Sequence, residues 1–456
     1  MVQPGIFADF AEAVSGPSAR RELWTWAALA IVALAIAGVS ALMLALSRVP
    51  GLDGALPWPE DFFHKGLVIH VVFSFIVWFL AVFGGLLQLA AAHVGAGKPR
   101  LGGLGTLATW GVAVACVLLF APALMDRGEA TLNNYVPVII DPLYYGGLAI
   151  LGASLTLPVI RLLATVAGNA RMFEPAPFAV TVAGLTYLVA LACIALALVA
   201  LDGAEPDLHF NEDLFWAGGH VLQYGNSILL LGAWYILGVI ALGAIPIGPH
   251  RVAVTMLGAL ALPAIWITAK YGVAEQEYRD LFIDLQYGLG PPALVAVCGL
   301  AVAIKRASRL PWSDPAFLCL VLSLFVFGVG AALGPFVDGA DTRTPAHYHG
   351  VIGGINLSFM GLFYVLFLPA LGRTVRRSRT LYWQIGLYAA GQFLACVGLF
   401  WAGGYGAPRK TAGAAQGLEE IGAMIGMYLN GIGALIAVVG GIMFIATVAS
   451  ALLRKP

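Results

Sequence analysis

Charged side chains are scarce in this sequence of 456 residues: only 11% are Asp, Glu, Lys or Arg, while 60% are hydrophobic. Soluble globular proteins carry about 25% charged residues, so the composition indicates an integral membrane protein. Lys plus Arg and Asp plus Glu balance at 24 each, and the chain lacks a basic run or nucleic-acid motif. Membrane lipid is therefore an expected partner, and nucleic acid is not.

Cysteine motifs are also missing. The five cysteines are isolated in apolar segments, with no CxxC, CxxCH or CxxxC pattern. This argues against a zinc ribbon and against covalently attached haem, and we interpret the cysteines as buried thiols. The stretch from Phe7 to Arg21 is polar and lacks a short apolar core with a cleavage site, so we predict no signal peptide.

Long apolar runs dominate the chain instead. A transmembrane helix needs about 20 apolar residues, and twelve segments qualify. We predict an all-α polytopic membrane protein with twelve transmembrane helices, here called spans one to twelve. Because the loops are short, we expect one membrane domain over residues 1–456, with a cytoplasmic N-terminal segment at 1–23 and a helical bundle at 24–452. The predicted spans are 24–46, 64–92, 103–125, 143–165, 178–201, 213–243, 250–272, 281–304, 314–334, 344–371, 382–403 and 420–452.

The loop charges predict the orientation of the spans. Fifteen basic residues lie on the side that holds both termini, and seven lie on the opposite side, here called the outer side. The positive-inside rule then places both termini in the cytoplasm of a bacterial cell, with the chain in the inner membrane. Most acidic residues lie at the outer side. This pattern would suit a basic soluble electron donor, or it could simply reflect a hydrated exterior.

Four histidines fall inside the predicted spans at a similar depth. His70, His220 and the pair His347 and His349 come from spans two, six and ten, which all enter from the outer side. At 1.5 Å per residue, they lie roughly 5–12 Å below the boundary. A buried imidazole without a partner is costly, so the shared level suggests metal ligands, above all to haem iron. A single intramembrane histidine could equally be a residue that bridges helices.

The HxH spacing in span ten restricts how these histidines can bind a metal. Residues i and i+2 of a helix point about 200° apart, so His347 and His349 cannot chelate one ion but can each bind a haem. His70 could supply the second axial ligand of one haem, which would be low-spin, while the other haem keeps an open position for a gas ligand. His220 is then a candidate for the distal side of the open haem. Two haems are therefore expected near the periplasmic side.

Five short motifs carry a resemblance to a known family. They are Ile69-His70-Val71-Val72-Phe73, Asn134-Tyr135-Val136-Pro137-Val138, Trp216-Ala217-Gly218-Gly219-His220, Ala346-His347-Tyr348-His349-Gly350 and Ala407-Pro408-Arg409-Lys410. In this order they resemble the catalytic subunit I of the haem–copper oxidase superfamily, which includes cytochrome c oxidases and nitric oxide reductases. The resemblance covers all twelve spans and implies a haem–copper oxidase-like bundle.

The resemblance also implies roles for single residues. His70 and His349 match the ligands of the low-spin haem, and His347 matches the ligand of the high-spin haem. His220 lies where the family places a copper-binding histidine. Tyr224 occupies the position of a tyrosine that some oxidases cross-link to that histidine. Arg409 and Lys410 resemble the basic pair that neutralises haem propionates, although a solvated loop would also explain two cations there.

The sequence departs from the family at the second metal and in its proton supply. The family has an adjacent histidine pair late in span seven, whereas this chain contains no HisHis dipeptide and has Thr268, Ala269 and Lys270 there. A lone His220 is a poor site for copper or non-haem iron by ligand count. Lys270 could donate to an anionic ligand or snorkel to the outer surface. The loop after span two has no acidic residue and span eight has no internal lysine, so we predict no efficient cytoplasmic proton path. Gln223 also stands where many oxidases have a glutamate.

These observations predict a two-haem membrane oxidoreductase. It would pass electrons from a low-spin to a high-spin haem for reaction with O₂ or nitric oxide, as a non-pumping nitric oxide reductase or a nitric oxide dismutase-like enzyme would. A separate donor subunit, cytochrome c or quinol would supply electrons. The alternative is a haem electron conduit or gas sensor that has lost the second metal; a transporter with structural histidines ranks last. The predicted catalytic residues are His220, Gln223, Tyr224 and Lys270, and the predicted cofactor-binding residues are His70, His347, His349, Arg409 and Lys410.

Overall fold

The computed structural model describes residues 5–48, 62–337 and 339–454. Within these ranges, twelve helices are long and apolar enough to cross a membrane. The all-α fold with twelve spans is therefore confirmed, and the chain is an integral membrane protein. The spans are Pro17–Ser47, Phe63–Val94, Gly103–Leu124, Pro142–Val166, Pro175–Ala200, Leu208–Leu242, Ile247–Lys270, Gln276–Arg306, Pro315–Phe336, Arg343–Ala370, Arg379–Gly404 and Ile421–Leu453.

Some spans begin earlier than hydrophobicity alone predicts, because capping residues precede their apolar part. Span one begins at Pro17 rather than at residue 24: Gly16 is extended, and proline is favoured in the first turn of a helix. Span six begins at Leu208 rather than at residue 213. There the Asp207 carboxylate accepts a hydrogen bond from the Phe210 amide at 2.7 Å. The extra turns carry polar residues, which an apolar window excludes.

Shorter elements connect or divide the spans. Ala130–Thr131 and Val138–Ile139 pair antiparallel and form a hairpin between spans three and four. A helix at Gly5–Ala13 precedes span one. Span seven is divided into Ile247–Ala261 and Pro263–Lys270, and span eight into Gln276–Gln286 and Gly290–Arg306. The 3₁₀ turns are Ala170–Phe173, Tyr287–Leu289, Gly334–Phe336 and Gly413–Gln416.

Spans two and ten each contain a π-helical segment, Val72–Val77 and Phe363–Phe367 respectively. The two spans pack together near these segments, where Trp78 stacks on Phe363 with ring centroids 5.5 Å apart. The first segment begins two residues after His70. Short π-helical segments often occur at functional sites. The α-helical parts of spans two, nine and ten are Phe62–Val71, Trp78–Val94, Pro315–Leu333, Arg343–Leu362 and Leu368–Ala370.

A buried hydrogen-bond chain sets the register between spans two, ten and eleven. The Trp78 indole N–H donates to Asn356 Oδ1 at 2.8 Å, and the Asn356 amide donates to the Tyr388 hydroxyl at 2.8 Å. Trp78 lies about two turns after His70, and Asn356 lies about two turns after His349. Because both spans run in the same direction, this contact places the two histidines at a similar depth.

A buried ion pair joins spans one, two and four near the side that holds the N-terminus. The Arg161 guanidinium donates to both carboxylate oxygens of Glu22, at 2.8 and 2.7 Å, and to Gln88 Oε1 at 2.6 Å. Gly105 on span three provides the space, since a Cβ there would overlap both charged groups. Two charges buried this deeply are tolerated only with near-complete pairing.

We expect Asn356→Leu to lower the free energy of unfolding by about 1–3 kcal/mol, because the Trp78 indole would lose its buried acceptor. The measurement is unfolding of the purified protein in detergent, followed by Trp fluorescence. The control is Ser358→Ala on the same span, whose buried hydroxyl bonds within its own helix to the Ile355 carbonyl at 2.7 Å. Equal losses in both variants would contradict the role assigned to Asn356.

Candidate functional site

Three intramembrane histidines share one hydrogen-bonding pattern, in which Nδ1 faces an oxygen on a neighbouring span. Because a carbonyl oxygen can only accept, each Nδ1 carries the proton and each Nε2 keeps its lone pair. Among the described residues, none of these three Nε2 atoms has a hydrogen-bond partner. This is the usual state of a metal-binding histidine. The contacts are His70 to Ala37 O at 3.1 Å, His347 to Gly330 O at 2.8 Å and His349 to Gln392 Oε1 at 3.3 Å.

The contact of His347 depends on a close approach of spans nine and ten. A Cβ at Gly330 would overlap the backbone of Gly350 and Val351, and a Cβ at Gly350 would overlap Gly330. Only glycine lets two helix backbones approach this closely, and the approach brings the Gly330 carbonyl to the imidazole.

His347 and His349 bond to different neighbouring helices, span nine and span eleven respectively. Span ten is α-helical through both residues, so the divergence expected from the HxH spacing is present. The His349 imidazole is also close enough to His70 for an electrostatic interaction. The structure thus brings together the two histidines expected to bind one haem and turns His347 away from them.

Arg48 is a candidate that the sequence analysis treated only as a loop charge. It follows span one directly, and its charge acts on both His70 and His349. Its guanidinium donates to the Thr411 carbonyl at 3.2 Å and lies 5.4 Å from the centroid of the Phe63 ring. A cation beside this pair is suited to hold a carboxylate group of a bound cofactor. The position of Arg48 at the outer end of span one was the feature of the sequence that could have identified it as a site residue.

His220 differs from the other three because both of its nitrogens have partners. Nδ1 lies 2.7 Å from the Trp216 carbonyl, and Nε2 lies 2.8 Å from the Tyr135 hydroxyl. Three aromatic rings surround the imidazole: the centroids of Tyr135, Trp216 and Phe282 lie 4.6, 4.8 and 5.3 Å from its own. Tyr135 lies on the hairpin after span three and was not among the predicted site residues.

The other predicted residues on spans six and seven do not bond to His220. Tyr224 is buried, but its hydroxyl donates to the Leu285 carbonyl on span eight. Gln223 is half-buried and is not a hydrogen-bond partner of the imidazole. Lys270 is exposed, and its ammonium lies 4.6 Å from the centroid of the Trp266 ring. This position corresponds to the snorkelling alternative, so the structure does not bring Lys270 to the distal side.

Span seven offers a hydroxyl where the family has its histidine pair. Thr268 is buried, and its hydroxyl donates to the Ala264 carbonyl of the same helix at 2.8 Å. A neutral hydroxyl that already bonds to its own helix is a weak ligand for a metal ion. Among residues 5–48, 62–337 and 339–454, no group of three or more His, Cys, Asp or Glu side chains could hold a metal ion.

Arg409 and Lys410 contact the hairpin between spans three and four. Arg409 donates to Asn134 Oδ1 at 3.2 Å, and Lys410 donates to the Leu132 carbonyl. Burial and the adjacent Arg409 lower the pKa of Lys410 to about 8, and the charge of Glu212 partly opposes this shift. Two partly buried cations at this level would favour a bound anion. Their contact with haem propionates stays a prediction.

The fold and the site together define a class: a twelve-span membrane protein with buried histidines on spans two and ten whose Nδ1 atoms are held by acceptors on neighbouring spans. The model of the family described as cytochrome c and quinol oxidase polypeptide I matches residues 23–443, so the chain belongs to this family. The resemblance to subunit I of the haem–copper oxidases is therefore confirmed. The family implies a membrane oxidoreductase with haem cofactors.

Several relatives resemble the chain over most of its length. An uncharacterized protein of Aquifex aeolicus is 28% identical over 76% of this chain and 86% of its own length. Subunit 1 of the cytochrome c oxidase of Thermus thermophilus is 24% identical over 89% of this chain and 80% of its own. The structure of a heme-copper terminal oxidase dimer superposes with a TM-score of 0.80 at 16% identity, covering 96% of this chain and 85% of that one. This last match shows a shared fold.

The residues present fit haem but not a second metal ion. His70, His347 and His349 each present a free Nε2 with Nδ1 held by an acceptor, which is the donor set that haem iron requires. His220 presents no free nitrogen, and span seven adds no second ligand beside it. These three histidines would therefore be able to hold haem, whereas the residues around His220 do not supply the ligands of a second metal ion.

Gly330→Ala is expected to lower the haem content of the purified protein, because a methyl group there would separate spans nine and ten and move the acceptor away from His347. Loss of a partner that orients a metal ligand typically weakens metal affinity 10–100-fold. The measurement is haem per chain by pyridine haemochrome. Gly328→Ala on the same span is the control, since a Cβ there meets nothing within 4 Å. Equal haem contents would contradict this account.

Proposed function

We propose that the chain is a two-haem membrane oxidoreductase that acts on O₂ or nitric oxide. The free Nε2 atoms of His70, His347 and His349 carry this proposal. His70 and His349 would together hold a low-spin haem, and His347 would hold a high-spin haem. When bound, the two haems would supply electron transfer and one iron position that is open to a gas.

The protein residues orient these groups and supply charge around them. Ala37, Gly330 and Gln392 fix the tautomer and the ring direction of the three ligands. Arg48 and the pair Arg409 and Lys410 would neutralise the carboxylates of the cofactors from the outer side. With Lys270 exposed, Tyr135 and His220 are the polar groups that would face a gas.

The reaction we favour needs little proton uptake from the cytoplasm. Gln223 is not an acid, and the Tyr224 hydroxyl is engaged with Leu285, so neither side chain offers a ready proton relay. This supports a non-pumping nitric oxide reductase or a nitric oxide dismutase-like activity, rather than a proton-pumping oxidase. The electron donor would be a separate subunit, cytochrome c or quinol.

A second function is supported by one observation, namely that both nitrogens of His220 are engaged. A distal site without a second metal would suit a haem electron conduit or a gas sensor. Steady-state consumption of O₂ and nitric oxide by the purified protein, with several donors, separates the two functions. Consumption supports the enzyme, whereas carbon monoxide binding without turnover supports the conduit or sensor.

The membrane arrangement is part of the same proposal. The chain would form one domain in a bacterial inner membrane, with both termini in the cytoplasm and the haem level near the periplasmic side. The distribution of basic residues supports this orientation.

We expect His349→Ala to abolish the low-spin absorption bands, and His347→Ala to abolish carbon monoxide binding while the low-spin bands remain. The reason is that the two imidazoles face different neighbouring spans and would hold different haems. The measurement is the reduced-minus-oxidised spectrum with and without carbon monoxide. His209→Ala, which removes an exposed imidazole, should change neither spectrum. If both ligand variants lose the same haem, the assignment is wrong.

A further inference from the structure

The hairpin between spans three and four brings a tyrosine to His220, the position where the family has a copper-binding histidine. Tyr135 lies at the tip of this hairpin, between the strands Ala130–Thr131 and Val138–Ile139. Its backbone φ is 64°, in the left-handed region that residues with bulky side chains rarely adopt. A tyrosine held in this conformation points to a specific role for its side chain.

Polar contacts on both flanks hold Tyr135 in place. The backbone N–H of Asn134 donates to the Glu212 carboxylate at 2.7 Å, and the Asn134 side-chain amide donates to the same group at 2.6 Å. Asn133 donates to the Val136 carbonyl at 2.6 Å. These bonds tie the residues on either side of Tyr135 to span six and to each other, so they restrain the backbone that carries the tyrosine.

Gly219, the residue before His220, provides the space that the tyrosine ring fills. A Cβ at Gly219 would overlap the ring of Tyr135. Glycine therefore lets the ring pack at 4.6 Å from the imidazole, with the hydroxyl at 2.8 Å from Nε2. The absence of a side chain at Gly219 on span six thus matches the position of the Tyr135 ring on the hairpin.

The protonation state of the pair follows from its partners. The Trp216 carbonyl can only accept, so Nδ1 of His220 carries the proton. Nε2 then has only a lone pair, and the Tyr135 hydroxyl must donate to it. Burial, together with nearby Tyr348 and Glu212, raises the pKa of Tyr135, so the hydroxyl keeps its proton. A metal ion would have to displace one of these two hydrogen bonds.

We infer that Tyr135 is a positioning residue that closes His220 to metal ions, so that a neutral tyrosine–histidine pair replaces the second metal of the family. The Tyr135–His220 pair is uncharged, whereas the second metal ion of the family carries positive charge at this position. The inference rests on the proposed function in one respect, namely that the pair lies beside the haem that His347 would hold. Its three tests measure the Tyr135–His220 pair itself and do not require activity.

The first test measures metal at His220. Protein from copper-supplemented cells is analysed for copper, total iron and haem, before and after incubation with a copper salt and desalting. We expect wild-type and His220→Ala to contain the same copper and the same non-haem iron per chain. One copper or one non-haem iron per chain that is lost in His220→Ala would overturn the inference.

The second test measures the coupling of the two side chains through a double-mutant cycle in the melting temperature Tm. We expect Tyr135→Phe and His220→Ala each to lower Tm, and the double variant to lower it by clearly less than the sum. Tyr187→Phe is the matched control, because this buried hydroxyl donates to the Gly152 carbonyl at 2.8 Å, on another part of the bundle. Its effect should add to that of His220→Ala. Additive effects of Tyr135→Phe and His220→Ala would overturn the pairing.

Glycine variants test the same contact without touching either partner. Gly219→Ala should lower Tm by displacing the Tyr135 ring, and this loss should shrink in the Tyr135→Ala background. Gly225→Ala on the same span has its nearest contact at 3.9 Å and should change Tm little. Equal effects of the two glycine variants would count against the inference. Purified protein without haem would contradict the proposed function but not this inference. Copper binding at His220 is measured separately and would contradict the inference alone.

Discussion

The protonated Nδ1 of each intramembrane histidine needs an oxygen acceptor, and the site depends on where these acceptors lie. A buried donor without a partner costs about 1–3 kcal/mol, so the rings are not free to turn. Ala37, Gly330 and Gln392 come from spans one, nine and eleven, none of which carries one of the three ligands. The direction of each Nε2 is therefore a property of how the helices pack, rather than of the histidine alone.

Helix register follows from the same kind of constraint. Trp78 and Asn356 join spans two and ten about two turns away from His70 and His349, and Tyr388 extends the chain to span eleven. Gln392 lies one turn further along span eleven, and its side-chain carbonyl accepts a hydrogen bond from His349 Nδ1. Neighbouring polar contacts on span eleven thus help to set both the depth of the histidine pair and the ring orientation of His349. Gly330 and Gly350 serve His347 in a different way, by bringing two backbones together.

The sequence predicted those parts of the protein that depend on periodicity within one helix. Twelve apolar runs predicted twelve spans, and the i, i+2 spacing predicted that His347 and His349 would diverge. The sequence also showed directly that the histidine pair of span seven is missing, because it contains no HisHis dipeptide. Each of these inferences needs only local geometry.

The distal side could not be predicted in this way, because its key contact joins a loop to a helix 85 residues further along the chain. Nothing in the motif around Tyr135 shows that its backbone is left-handed or that Gly219 leaves room for its ring. Tyr224 and Lys270 were chosen by position in the family, but their polar atoms bond to Leu285 or lie near Trp266. Lys270 shows that sequence position near a site does not decide whether a long side chain turns inward or outward.

The ion pair between Arg161 and Glu22 has a consequence for biogenesis. An arginine inside a transmembrane helix raises the free energy of inserting that helix, by about 2.5–3.5 kcal/mol at the helix centre and by less towards its ends, where Arg161 lies. Span four brings Arg161 into the bilayer after span one, which carries the compensating carboxylate of Glu22. We therefore expect span four to integrate most stably when the first helix is already beside it, so that spans one to four would assemble early as a unit.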